Sequence, residues 1–299
     1  MNELPVYKKR LGLFRNPKVL KEIRELNPAT HHQRIVQLIV GYEFPFDVTR
    51  ALELALFHTF SSPSISSLLA RTGQFERYGQ KRYDDTSLLI SRFMQDGIES
   101  PTGNRAVEHI NHIHSHYNIA NEDFLFVLST FITYPINWIN KFGWRKLSLH
   151  EELAFFNFFI AVGGKMEIKN LPVTMHQLLK FVEEYEAKHL EFKESNKKIA
   201  DSTVQVVAHW FPKILTPLIK PAFSTLIPDK LRKAFGYKLP GFLFSSTLKG
   251  LLLLRKIPLR WITFKPYPTL IENTKYRNYP NGIPEIEETG PKGVIGGDK

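Results

Sequence analysis

The sequence predicts an all-α fold, a single multi-helix globular domain, and three observations carry that expectation. Apolar residues recur at helical spacing along most of the chain, and strand-like alternation is almost absent. No internal repeat or low-complexity tract divides the 299 residues, of which 43% are hydrophobic, enough to bury a large core.

The periodicity places helices at Pro17 to Leu26, His31 to Val40, Val48 to Phe60, Asp84 to Gln95, Gly103 to Tyr117, Asn121 to Lys141, Ser148 to Lys165, Thr174 to His189, Ser195 to Phe211 and Gly241 to Trp261. Within the fourth, Leu89, Ile90 and Phe93 form the line that turns to the core. In the fifth, Ala106, Val107, Ile110, Ile113 and Tyr117 make an apolar stripe at about 100° per residue. Asn121 stands before Glu122 and Asp123, which suit the positive end of a helix dipole. Ser148 with Glu151 three residues on is a capping-box pattern. The best candidate for a membrane span, LPGFLFSSTLKGLLLLRKIPL, is interrupted by Lys249 and broken by Pro240 and Pro258, so it does not reach the roughly 18 to 20 apolar residues needed. Residues 1–266 read as the helical domain, with a basic subregion from about 213. Residues 267–299, rich in Pro and Gly, read as an extended or disordered tail.

The absence of cysteine excludes disulfides, iron–sulfur clusters, thiolate-bound haem and cysteine nucleophiles, so any metal must sit on histidine, carboxylate or tyrosine. The basic N-terminal stretch has no apolar signal-peptide core, and residence in the cytoplasm is the default expectation.

Net charge is +11, and most of it is concentrated. From Lys213 to Lys265 eleven basic residues face Asp229 alone. No nucleic-acid module accompanies them, so no nucleic-acid partner is expected. The apolar run Leu251 to Leu254, flanked by Lys249, Arg255, Lys256 and Arg260, fits peripheral contact with an anionic membrane surface. A core helix with a solvated cationic rim fits equally well.

Four histidines crowd the segment RAVEHINHIHSHY: His109, His112, His114 and His116. Helix geometry puts only His114 within the apolar stripe and the other three together on its flank. Three readings stand open on the residues alone. The flank triad suits zinc, a buried imidazole beside a pocket suits haem iron, and a satisfied core histidine needs no ligand.

The segments KRYDDTSLLISRFMQDGIESPTGNRAVEHINHIHSHY, INWINKFGWRKLSLHEELAFFNFF, YEAKHLEFKESNKKIAD and YRNYPNGIPEIEETGP closely resemble the oxygenase family of the mycophenolic acid enzyme MpaB. Through a shared catalytic domain that family is related to the latex-clearing, rubber-degrading oxygenases. The similarity runs collinearly from about Gly73 to Pro291.

The resemblance implies helices enclosing a b-type haem, with His114 as the axial ligand of the iron and Arg82 and Thr86 beside the pocket. It also implies insertion of dioxygen into a small lipophilic substrate, cleaving a C=C bond of an isoprenoid or other lipidic chain. A haem peroxygenase or peroxidase, and a non-catalytic haem-binding protein at a membrane, are the alternatives.

Arg82 and Thr86 lie four residues apart, so one helix carrying both would set them on one face. Without the resemblance they read as a surface cation paired with Asp84 or Asp85 and a helix-start hydroxyl. Rubber-cleaving relatives use a glutamate upstream of this pair as base. Here Glu76 is the only carboxylate between Ser61 and Gln80, at a spacing that departs from the family pattern. A haem propionate or another helix is the other candidate source of a base.

Overall fold

The computed structural model describes residues 6–263, 270–271 and 274–293, and among these it contains fourteen α-helices and no strand. The boundary expected at 266, together with residues 267–269, 272–273 and 294–299 of the expected tail, lies outside the described residues.

In chain order the helices begin with α1 (Pro17–Glu25), α2 (His32–Leu38) and α3 (Pro45–Thr59), with a π-helical turn, Ile39–Glu43, joining the last two. There follow α4 (Pro63–Thr72), α5 (Gln74–Asp96), α6 (Pro101–Ser115), α7 (Asn121–Phe142), α8 (Leu149–Lys165), α9 (Met175–His189) and α10 (Glu194–Ala208). The basic region forms α11 (Thr216–Leu226), α12 (Asp229–Phe235), α13 (Phe242–Leu254) and α14 (Lys256–Leu259).

Helix α7 is the buried axis, with α3 on one side and α8 on another. Phe57, Phe60, Phe126, Phe155, Phe158 and Phe159 are all but inaccessible to solvent. Each contributes about 1.5–3 kcal/mol relative to exposure.

The capping box at Ser148 forms as expected: its hydroxyl accepts from Glu151 N–H at 3.3 Å, and its own N–H donates to Glu151 at 2.8 Å. Glu151 also receives Arg145 at 2.7 Å, and Arg145 reaches Glu43 at 3.1 Å. One guanidinium therefore bridges two buried carboxylates, and Arg15 approaches Glu43 at 3.9 Å as well.

Three departures from the sequence expectation shape the site. Helix α5 starts ten residues before Asp84 and kinks at Tyr78, where φ is −135° and ψ is 34°. At Gly79, next to the kink, an added Cβ would lie 2.6 Å from Val206 of α10, so only glycine permits this approach. Helix α4 falls where the sequence predicts no helix; its Ser66 bonds Asn196 and Ser195 of α10. The helix expected from Gly241 to Trp261 breaks at Arg255 into α13 and α14.

The C-terminal stretch 274–293 is irregular apart from a 3-10 turn at Ile286–Glu288, but it is fastened along α5 and α6. Tyr279 donates to Asp85 at 2.5 Å, and Asn278 N–H donates to Asp84 at 2.6 Å. Gly290 N–H donates to Asp85 at 3.0 Å, while Lys81 donates to the Gly290 carbonyl at 2.9 Å. Ile286 and Thr289 are buried.

Candidate functional site

The site begins where α5 hands over to α6. Gly97, at φ 96°, ends α5, and the Ser100 hydroxyl caps α6 by accepting from Gly103 N–H at 2.9 Å. A Cβ on Gly103 would stand 1.9 Å from the Gly97 carbonyl oxygen, so glycine is required for the two helices to close this corner. The corner fixes α6 against α5 and aims its last turn, which holds His114, at a cavity of about 760 Å³.

Arg82 and Thr86 of α5 line the same cavity as His114, with walls from Leu89, Ile113, Phe124 and Phe131 among others. The structure thus brings together three of the four residues singled out in the sequence. Glu76 is not with them. It sits in the first turn of α5, before the Tyr78 kink, pairs with Lys198 at 2.6 Å and lines neither this cavity nor its neighbour.

His114 is one of several histidines with an unpartnered buried ring nitrogen, and of these it alone lines the large cavity. Its Nδ1 is fully buried with no hydrogen-bond partner, and among the described residues neither ring nitrogen is bonded. The ring packs on Phe124, with centroids 5.2 Å apart. Burial, helped by the positive charge of Arg82, pushes its pKa down to about 4. The imidazole is therefore neutral at physiological pH, the form that ligates metals.

Stability follows from the sign of that shift. Between the ordinary histidine value of 6.5 and about 4, the unfolded chain takes up a proton that the folded chain refuses. The ligand-free protein is then expected to lose about 3 kcal/mol on this account as pH falls through that window. Thermal melts at stepped pH check it: a His114→Gln chain should show a flatter acid limb than wild type, and identical limbs would contradict it.

Arg82 is buried by the cavity, which disfavours its charge, and Asp85 offsets this only in part. Among the described residues it forms no ion pair or hydrogen bond. The aspartates expected to hold it are engaged elsewhere, Asp85 by Lys81, Tyr279 and Gly290, and Asp84 by Gln80 and Asn278.

Thr86 is likewise free. Ser129, Thr133 and Thr203 each return their hydroxyl to the carbonyl four residues back, whereas no hydrogen bond of Thr86 is found among the described residues. It lies in mid-helix, so the helix-start reading does not apply.

The remaining histidines do not form a zinc site. Among the described residues no three His, Asp or Glu side chains are grouped to hold a metal ion. His112 and His116 are exposed and touch each other. His109 corrects the helix-wheel expectation: it is buried, and its Nε2 lies 3.0 Å from the Thr289 carbonyl oxygen. The C-terminal stretch covers it, a contact that spacing within α6 does not reveal.

A smaller cavity of about 300 Å³ adjoins the first, and Arg82, Thr86, Phe60, Phe75 and Phe131 are common to both. Sequence reasoning missed this second space. Its walls come from α3, α5, α10, α11 and the C-terminal stretch, which are distant in sequence.

Residues 54–249 match the family model described as ER-bound oxygenase mpaB/B'/Rubber oxygenase, catalytic domain. An ER-bound oxygenase mpaB' from Penicillium brevicompactum is 33% identical over 242 residues, which are 74% of this chain but only 56% of that protein. An ER-bound oxygenase mpaB from Penicillium roqueforti (strain FM164) is 33% identical over 216 residues, 65% of this chain and 72% of that one. A third, ER-bound oxygenase mpaB of Penicillium brevicompactum, is 32% identical over 206 residues, 62% of this chain and 52% of the relative. The chain thus spans little more than half the length of two of these relatives. With about two thirds of its residues inside the matched domain, this chain belongs to the mpaB/rubber oxygenase catalytic-domain family.

Proposed function

We propose that this chain is a haem b-dependent oxygenase that uses dioxygen to cleave a C=C bond in an isoprenoid or other lipidic substrate. The observation that carries the reading is the imidazole of His114, held neutral and without a hydrogen-bond partner in the wall of an apolar cavity of about 760 Å³. An orphaned buried polar atom costs about 1–3 kcal/mol unless a ligand completes it.

The donor set fits a haem. His114 would hold the iron, the aromatic and aliphatic walls would pack the porphyrin, and Arg82 would sit within reach of charge in the same space. When bound, the haem supplies the binding and redox activation of dioxygen.

The chain's own residues do the rest. Phe60, Phe75 and Phe131, which line both cavities, exclude water and hold an apolar chain beside Arg82 and Thr86. The guanidinium of Arg82, without an ion pair among the described residues and only partly offset by Asp85, is placed to stabilise negative charge developing on oxygen, where fixed charge contributes most. Thr86 offers an uncommitted O–H as donor to the same atoms. Glu76 has no part in this scheme, since Lys198 holds it outside both cavities.

Cleavage of a C=C bond by dioxygen consumes both oxygen atoms, one in each carbonyl product. Turnover with isotopically labelled dioxygen tests the reading. Label in both carbonyl fragments, trapped by reduction, is the expected outcome. Equal turnover with hydrogen peroxide in the absence of dioxygen would point instead to a peroxygenase.

The relatives are named as ER-bound, and no helix among the described residues is long and apolar enough to cross a membrane.

A further inference from the structure

Helix α13 is built inside out. Eight of its thirteen residues are Phe or Leu, yet its one buried residue is Ser245, whose hydroxyl meets Thr225 of α11 at 3.2 Å. Phe242 is 87% exposed, Leu243 80%, Leu251 60% and Leu254 61%. A surface helix normally turns its apolar stripe to the core and its polar residues to water.

The exposed surface continues beyond α13. Ile257 of α14 and the following Trp261 are more than half exposed. Beside them stands a turn from the N-terminal stretch, tied on by Arg15 N–H to the Trp261 carbonyl at 2.9 Å and by Thr263 N–H to the Leu13 carbonyl at 3.0 Å. At its tip Leu11 is 90% exposed with φ 47°, a left-handed conformation that disfavours a leucine. The fold therefore holds an apolar side chain outward at a conformational cost.

The charge around this surface has one sign. No acidic residue occurs between Lys230 and Ile271. Several cations of the region are occupied within the protein, and this corrects part of the sequence reading: Arg255 pairs with the buried Asp47, and Lys256 donates to the Lys141 carbonyl. Arg10, Lys238, Lys249 and Arg260 remain, and among the described residues none of the four has an ion pair.

We propose that the face made by α13, α14 and the Leu11 turn docks on an anionic lipid leaflet, with its phenylalanine, leucine and tryptophan side chains in the acyl boundary and these four cations at the head groups. Apolar area and basic charge acting together are the two contributions that hold an interfacial helix on such a surface. A second copy of the chain fits poorly, because a symmetric pairing would bring the same unpaired cations together.

The placement also serves the site. Helix α11 packs on α13, exposes Leu218, and supplies Phe223 to the wall of the smaller cavity. A lipid-soluble substrate would thus enter from the leaflet through this wall. That last step rests on the proposed oxygenase function, whereas the docking does not.

Flotation of the intact chain with phosphatidylcholine vesicles, with and without phosphatidylserine, tests the docking. Binding should be at least about tenfold tighter with phosphatidylserine and should weaken as salt screens the head groups. Lys238→Ala and Lys249→Ala should each cost about fivefold. Leu251→Glu with Leu254→Glu should cost more than about tenfold. All four positions are outside the buried core, so thermal melts should be unchanged. Binding indifferent to lipid charge, or undiminished in these variants, would overturn the proposal. So would a stable dimer in sedimentation equilibrium that the leucine substitutions dissolve. Because flotation needs neither haem nor turnover, its failure would leave the oxygenase reading standing, and the converse holds.

Discussion

A His114→Ala chain is expected to fold and to purify without haem. The loss of an axial ligand should reduce haem affinity by more than about 100-fold, since removing only a group that orients a ligand costs about 10–100-fold. The fold should survive because His114 holds nothing together: it makes no hydrogen bond among the described residues, and its closest aromatic contact is Phe124. Absorption spectra and circular dichroism on the same preparation separate the two effects. A folded variant that keeps a wild-type Soret band would remove His114 from the iron. A variant that fails to fold would contradict the claim that this imidazole is built for a ligand rather than for the core.

The largest stability effect is expected far from the cavity, at Arg145. Its guanidinium bonds Glu151 at 2.7 Å and Glu43 at 3.1 Å, and both carboxylates are almost wholly buried. Arg145→Ala leaves two buried, mutually repelling acids with only Arg15, 3.9 Å from Glu43, still beside them, and should cost about 3 kcal/mol, a drop in Tm of the order of 10 °C. Adding Glu43→Gln should recover part of the loss, because it removes the repulsion between the two acids while Glu151 keeps its capping role at Ser148. Melting curves of the single and double variants measure both. A loss under about 1 kcal/mol, or no recovery, would show that the triad is not the anchor between the π-turn and α8.

What the sequence made legible is what local chemistry determines. The capping box at Ser148, the helical periods of α6 to α10 and the stripe that presents His114 all depend on residues within one or two turns of each other. What it hid depends on distant partners. His109 is buried by Thr289, 180 residues away. The serines of α4 become helical against Asn196 and Ser195, and the first half of α5 is too polar to show a period at all. Arg255 and Lys256 read as cations facing outward, and their partners lie more than 100 residues upstream. The same holds at the site: Arg82, Thr86 and His114 were each nameable from the sequence. The release of Arg82 from its neighbouring aspartates came only with the C-terminal stretch, whose Tyr279 and Gly290 engage Asp85.

One histidine of this all-helical chain, His114 in the wall of the large cavity, is proposed to hold the iron of a haem. The absorption spectrum of the purified protein, taken with metal analysis, tests it most directly. A Soret band and about one iron per chain are expected, as a single axial histidine requires. Zinc without Soret absorption, or a metal-free protein that does not take up added haem, would contradict it.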